Sequence, residues 1–270
     1  MQYDPIKKTL GRLFNRWTFS RKLFYFLLDV LLLRTWHIHR EIRKFFRSHT
    51  QQYGVKILDA GSGFGQYTWY MARKKPKWTV HAIDIKKDEI DSCRAFFEKA
   101  RQPNARFEVQ DLVHFRNPDT YQLILSVDVM EHIEEDQKVF SNFFQSLQSG
   151  GLLLISTPSD QGGSGVHEEG DQSFIEEHVR DGYNPKEIED KLKKAGFSKV
   201  ETKYTYGRPG KISWKISMKF PILLLGVSKV FLILLPLYYL LVMPFALLLN
   251  LLDLKLKHSS GTGLLVKAWK

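Results

Sequence analysis

An acid followed by glycines at alternate positions, Asp59-Ala60-Gly61-Ser62-Gly63-Phe64-Gly65, can hold the charged and hydroxyl-bearing parts of a small molecule. Glycine permits a tight turn and a close backbone approach, and free amides at the start of a helix meet the ligand's polar groups. The spacing lacks the glycine, three residues after the second, that the dinucleotide fingerprint requires. An acid ahead of such a turn repels a pyrophosphate and suits an ammonium group. Three more acids follow at Asp84, Asp111 and Asp128. Asp84, twenty-three residues after Gly61, is placed to accept hydrogen bonds from the two hydroxyls of a ribose. Singly, each acid also reads as a turn or cap residue. Four of them at four successive strand ends read as one site.

A second group of titratable residues falls between 159 and 184, where His167, Glu168, His178, Arg180 and Tyr183 cluster. Histidine titrates near neutrality and can act as a base, and arginine offers a rigid fork of donors to a phenolate or carboxylate. His178-x-Arg180-x-x-Tyr183 therefore reads as acceptor machinery, while Glu176 and Asp181 read as a solvated face. His132, directly after Glu131, is a second candidate base, with helix capping as its equal alternative. His37, His39, His81, His114 and His258 read as structural or interfacial.

Short apolar runs alternate with helical patterns from residue 55 onward. Strands are predicted at 55–60, 78–84, 105–111, 121–128 and 151–157, then 197–206 and 263–270; helices at 64–74, 87–101, 133–148 and 185–195. Such alternation implies a parallel sheet covered on both faces, with its site at the carboxyl ends of the strands.

ILDAGSGFGQ, HAIDI, VQDL, LSVDVMEHIEEDQ, GGLLLISTP and AGF, in that order, resemble the class I S-adenosylmethionine-dependent methyltransferases over roughly residues 36–207, with a return at 263–269. The resemblance implies an α/β, Rossmann-like, seven-stranded and mostly parallel sheet whose last strand is antiparallel. It implies S-adenosylmethionine as cofactor. Asp59, Gly61, Ser62, Gly63 and Gly65 would cradle its methionine part, Asp84 and Ile85 its ribose side, and Asp111 and Leu112 its adenine. Asp128 would close the pocket. No metal ligand set is expected.

The flanks differ in kind from this centre. Residues 1–50 hold eleven Lys/Arg against three acids and residues 208–270 nine against Asp253, whereas the middle carries twenty basic and twenty-five acidic residues. Apolar residues interleave with the basic ones, which suits an anionic membrane surface better than nucleic acid. Leu23–Leu33 is too short to span a bilayer and reads as an interfacial helix; for Trp36–Phe46, packing beside the first strand is at least as good a reading. Val230–Leu252 runs twenty-three residues without a charge, but Pro236 and Pro244 predict a break into short helices. It also lies between two strands expected to be neighbours, so it must leave and return on one side. Lys211, Lys215, Lys219 and Lys229 before the run, and Lys255 and Lys257 after it, favour an anionic cytoplasmic leaflet.

The chain thus divides into basic amphipathic helices at 1–50, a methyltransferase core at 51–207, an apolar helical anchor at 208–258 and a final core strand at 259–270. Cys93 alone cannot form an internal disulfide, and no N-terminal apolar core with a cleavage site appears, so a reducing, cytoplasmic compartment is expected. The expected function is methyl transfer at the cytoplasmic face of a membrane, peripheral or monotopic, to a lipid-like acceptor with a phenolic or quinone-type head. The alternatives are a soluble enzyme whose flanks form a homodimer core, and a scaffold that has lost catalysis.

Overall fold

The computed structural model describes residues 18–50, 53–162, 179–228 and 230–270. Two helices come first, α1 (Thr18–Leu31) and α2 (Leu33–Ser48), broken at the extended Leu32. Then follow β1 (Lys56–Ala60), α3 (Gln66–Lys74), β2 (Thr79–Asp84), α4 (Lys87–Lys99), β3 (Ala105–Val109), β4 (Tyr121–Val127), a 3-10 turn at Met130–His132 and α5 (Asp136–Ser146). The second half runs β5 (Leu147–Pro158), α6 (Pro185–Ala195), β6 (Lys199–Thr205), α7 (Arg208–Trp214), a π-turn (Lys215–Lys219), α8 (Phe220–Val227), α9 (Phe231–Lys255) and β7 (Gly263–Trp269).

The seven strands form one sheet in the order β3-β2-β1-β4-β5-β7-β6, with β7 antiparallel to both neighbours. Alternate residues of each strand feed two apolar layers, as the two-residue period of a strand requires. Ile57, Leu123, Leu125 and Leu154 face α2, α3 and α4, whereas Leu58, Ile124, Ile155 and Leu264 face α5 and α6. Ile38, Ile42, Phe45 and Phe46 of α2 lie in the first layer, so this stretch is core rather than membrane surface. Of the helix predicted at 133–148, Leu147 and Gln148 belong instead to β5, where a bulge pairs Leu147 with Tyr121.

α1 has two unlike faces. Arg21 and Tyr25 are buried, and at the next turn Asp29 accepts from Gln66 Nε2 at 2.7 Å. Phe19, Leu23, Phe26 and Leu27 form an exposed apolar stripe.

α9 corrects the sequence reading. It runs unbroken for 25 residues with Pro236 and Pro244 inside it, about 37 Å at 1.5 Å per residue. Each proline withdraws one backbone donor, and the bonds of the turns on either side carry the helix past it. α7, the π-turn and α8 run out from the sheet and α9 returns to it. Tyr238 and Tyr239 donate to the carbonyls of Ile216 and Ser217, the latter at 2.9 Å, and Ser213 Oγ donates to Ala246 O at 3.0 Å. Only Ala246, Asn250 and Asp253, on one side near the root, are buried in α9. At that root Asp253 accepts from Gly210 N–H and pairs with His37 (2.9 Å) and His258 (3.1 Å), pinning the hairpin to α2.

Candidate cofactor and acceptor site

The carboxyl ends of β1 to β4 gather the predicted acids on one rim. Gly61, Gly63 and Gly65 all have positive φ (77°, 47° and 75°). Gly61 and Ser62 donate to Ile83 O, which ties the turn to β2. A Cβ on Gly61 would lie 2.3 Å from Val129 Cγ2, so only glycine lets the turn approach the segment after β4. Both oxygens of Asp84 are held by backbone, one by Gly63 N–H and one by Lys86 N–H, each at 2.9 Å. A carboxylate has about four acceptor positions, so two remain for ligand hydroxyls. Ile85 beside it is an apolar side chain left 66% exposed at the rim.

Asp59 is 2% exposed and accepts from Thr68 Oγ1 on α3. Burial pushes its pKa up to about 7, against the hydrogen bonds from Thr68. Ser62 Oγ is buried without a hydrogen-bond partner. A buried acid raised in this way and an orphaned hydroxyl, side by side at a helix start, fit the ammonium and carboxylate of an amino-acid moiety. Asp111 Oδ1 caps the turn after β3 by accepting from Val113 N–H at 2.9 Å, while Leu112 is buried with its carbonyl held by Asn142. Leu112 and the exposed Ile85 supply apolar surface suited to an adenine.

Asp128 has φ 52° and is paired with Arg34 from the first turn of α2. Arg34 N–H in turn donates to the Tyr206 hydroxyl at 3.0 Å, at the point where the hairpin leaves the sheet. Glu131 is 1% exposed and accepts from Thr157 Oγ1 at 3.0 Å; burial raises its pKa, opposed among others by His132 and Arg34. His132 is exposed on the 3-10 turn.

His178, with His167, Glu168 and Glu176, lies outside the described residues. Arg180 and Tyr183 have a different occupation from the one expected. Tyr183 is fully buried and its hydroxyl donates to Asp136 Oδ2 at 2.7 Å. Arg180 pairs with the same carboxylate and donates to Ile133 O at 2.6 Å. Lys191 completes the cluster at 2.7 Å. These side chains clamp the segment after β5 to the start of α5. Sequence reasoning missed Arg34, Glu131 and Tyr206: they come from three distant parts of the chain and carry no common spacing. The MEH run around Glu131 was the one local signal.

Contacts from α1 complete the rim. Arg21 reaches Phe64 O and Ser92 O, both at 2.9 Å, so α1 is tied to the glycine-rich turn itself.

A sheet in this order, its last strand antiparallel and an acid-led glycine turn after its first, defines the class I S-adenosylmethionine-dependent methyltransferases. S-adenosylmethionine is the cofactor of that class, and the cradle above fits it. A family model described as a methyltransferase domain matches residues 51–208, more than half of the chain, and the protein belongs to that family. It is 32% identical over 150 residues to a phosphoethanolamine N-methyltransferase of Triticum aestivum, a match covering 54% of this chain and 28% of that enzyme. A malonyl-[acyl-carrier protein] O-methyltransferase of Bacillus cereus is 27% identical over 109 residues, 40% of this chain and 39% of the enzyme. The chain thus spans well under half the length of these relatives. Among solved structures, Haemonchus contortus phosphoethanolamine N-methyltransferase 2 in complex with S-adenosyl-L-methionine aligns with TM-score 0.60 at 19% identity, over 92% of this chain and 60% of that one. The [4+2]-cyclase SpnF aligns at 0.57 and 15%, over 86% and 80%. At these identities both show the fold alone, and the second is named for another reaction.

Proposed function

We propose that the protein transfers the methyl group of S-adenosylmethionine to the head group of a lipid-like acceptor, phenolic or quinone-type, at the cytoplasmic face of a membrane. When bound, the cofactor supplies a methyl group on a positively charged sulfur. Asp59 and Ser62 hold the amino-acid end, Asp84 the ribose hydroxyls, and Ile85 with Leu112 the base. Asp111 keeps the turn under the adenine in shape. His132, exposed four residues past Asp128, is the base assigned to the acceptor's proton, with His178 as the alternative. Arg180 and Tyr183 act as positioning residues through Asp136.

One observation carries the membrane part. Within α9 an apolar window of mean hydropathy 2.4 is only 6% buried, and the first limb of its hairpin leaves the sheet beside Tyr206, which is linked to the proposed cofactor rim through Arg34 and Asp128. Exposed apolar area of this extent needs a cover. A hairpin rooted beside the site supports delivery of an acceptor whose tail stays in lipid, which avoids about 0.8 kcal/mol of transfer per methylene. The exposed stripe of α1 and the lysines flanking the hairpin support contact with an anionic leaflet. The 32% identity to a phosphoethanolamine N-methyltransferase favours a second reading, a small phosphorylated amine as acceptor.

Two measurements test the proposal: flotation with phosphatidylcholine–phosphatidylglycerol vesicles, and transfer of a labelled methyl group to an alkylated phenol, its tail-less analogue and phosphoethanolamine. Co-flotation with preference for the tailed phenol is expected. A dimer that stays with the soluble fraction, or methylation of phosphoethanolamine with no response to tails, overturns it.

A further inference from the structure

We propose that Arg34 is an anion-binding residue of the acceptor subsite, taking a carboxylate or phosphate oxyanion carried by the acceptor in place of Asp128. This rests on the methyl-acceptor reading above and adds to it the charge that the acceptor must bring.

Arg34 is set where the start of α2, the rim and the hairpin meet. It follows the break between α1 and α2 at Leu32, its guanidinium pairs with Asp128 at the end of β4, and its backbone N–H is held by Tyr206 at the end of β6. Its neighbour Thr35 lies 3.3 Å from the Tyr67 hydroxyl on α3. Four non-glycine residues among those described have positive φ: Arg101, Asp119, Asp128 and Tyr206. Two of them, Asp128 and Tyr206, hold Arg34. Left-handed backbone at such residues is unfavourable and persists where the surroundings hold it, commonly at ligand clamps.

Burial raises the hydroxyl pKa of Tyr67 and takes that of Tyr206 to about 12, and Arg34 is the charge that opposes both rises most. The Tyr67 and Tyr206 hydroxyls and the Glu131 carboxyl thus lie within the field of the guanidinium, which pairs with Asp128. Arg34 and Asp128 are themselves about one-third exposed, 33% and 31%. An ion pair this open to water is weak. A ligand carboxylate or phosphate offers the planar fork the same paired hydrogen bonds, so exchange leaves Arg34 satisfied and frees Asp128 toward the cofactor. Because Tyr206 lies just past β6, two residues before the hairpin opens at Arg208, an anion bound here sits where a tail would pass toward α9.

The test is binding to the S-adenosylhomocysteine-loaded full chain, measured by calorimetry in detergent. The probes are an alkylated para-hydroxybenzoate, its methyl ester and an alkyl phosphate, so that the arms separate a ring carboxylate from a lipid-type phosphate. The wild type should bind at least one anion about tenfold or more tightly than the neutral ester. Arg34→Gln should remove that difference and leave the ester and S-adenosylhomocysteine unaffected. Arg34→Lys, which keeps the charge and loses the fork, should retain part of the preference and serves if the glutamine variant does not fold. Equal binding of both anions and the ester, failure of both anions to bind, or an Arg34→Gln loss shared by the ester overturns the proposal. Vesicle flotation is independent of Arg34, so failure of the membrane reading is seen separately.

Discussion

If Asp59 holds the cofactor's ammonium as proposed, cofactor binding should depend on pH. Its carboxyl, raised to about 7 by burial, stays protonated up to neutrality in the free protein, whereas a bound ammonium favours the carboxylate. Binding below about pH 7 must therefore release a proton, and affinity should fall by up to about tenfold per pH unit as pH drops from 7. For folding of the cofactor-free protein the same raised pKa has the opposite sense: its contribution is full below the unfolded carboxylate value and is lost as pH rises through about 7. Calorimetry from about pH 6 to 8 in buffers of different ionisation enthalpy should show the released proton, and Asp59→Asn should show none. Gly61→Ala places a Cβ 2.3 Å from Val129 at φ 77°, and should abolish detectable cofactor binding. Adding Val129→Ala should relieve the clash but not the left-handed strain of about 1–2 kcal/mol; full recovery by the double variant would show that space alone was limiting.

At the scale of elements, α1 is held to the glycine-rich turn by the buried Arg21 together with the Tyr25 hydroxyl, both of which donate to Phe64 O. Arg21→Ala removes donors to Phe64 O, Ser92 O and the Tyr25 hydroxyl. The expected cost is about 2 kcal/mol, a Tm lower by roughly 4–8 °C, with faster proteolysis within α1 and weaker cofactor binding. An unchanged cofactor affinity would show that α1 does not support the glycine-rich turn. α9 shows how a local rule is overruled: the prolines at 236 and 244 predicted breaks, yet a run of leucines, tyrosines and phenylalanines on both sides keeps the helix continuous.

Considered as a whole molecule, the protein joins a buried, two-layered α/β core to a hairpin with almost no buried surface. Thr205 and Gly263 are direct partners in the β6–β7 register, so joining Gly207 to Thr262 through a short Gly/Ser linker should close a tight reversal. That variant should fold, bind S-adenosylmethionine and fail to float with anionic vesicles. Its stability should drop, because His37 and Arg40 lose Asp253 and Leu254 O at the root. Loss of cooperative unfolding would instead make the hairpin part of the core.

The amino-acid sequence by itself determined the sheet, its order of elements and the glycine turn and acids of the proposed cofactor cradle. Period-two apolar runs, a glycine turn and an acid at each strand end are local patterns, with each signal lying within a few residues of the group it positions. The insertion between the last two strands was legible for the same reason, because the runs on either side of it carry the pattern of strands. Only the tertiary structure decided the acceptor side. Arg180 and Tyr183, adjacent in sequence to the candidate base, turn inward to Asp136, because burying a carboxylate at the start of α5 requires cations and a hydroxyl around it. Arg34, Asp128, Glu131 and Tyr206 come together across more than 170 residues of chain. No spacing encodes that meeting, since it depends on how α2 packs over the sheet and where β6 ends.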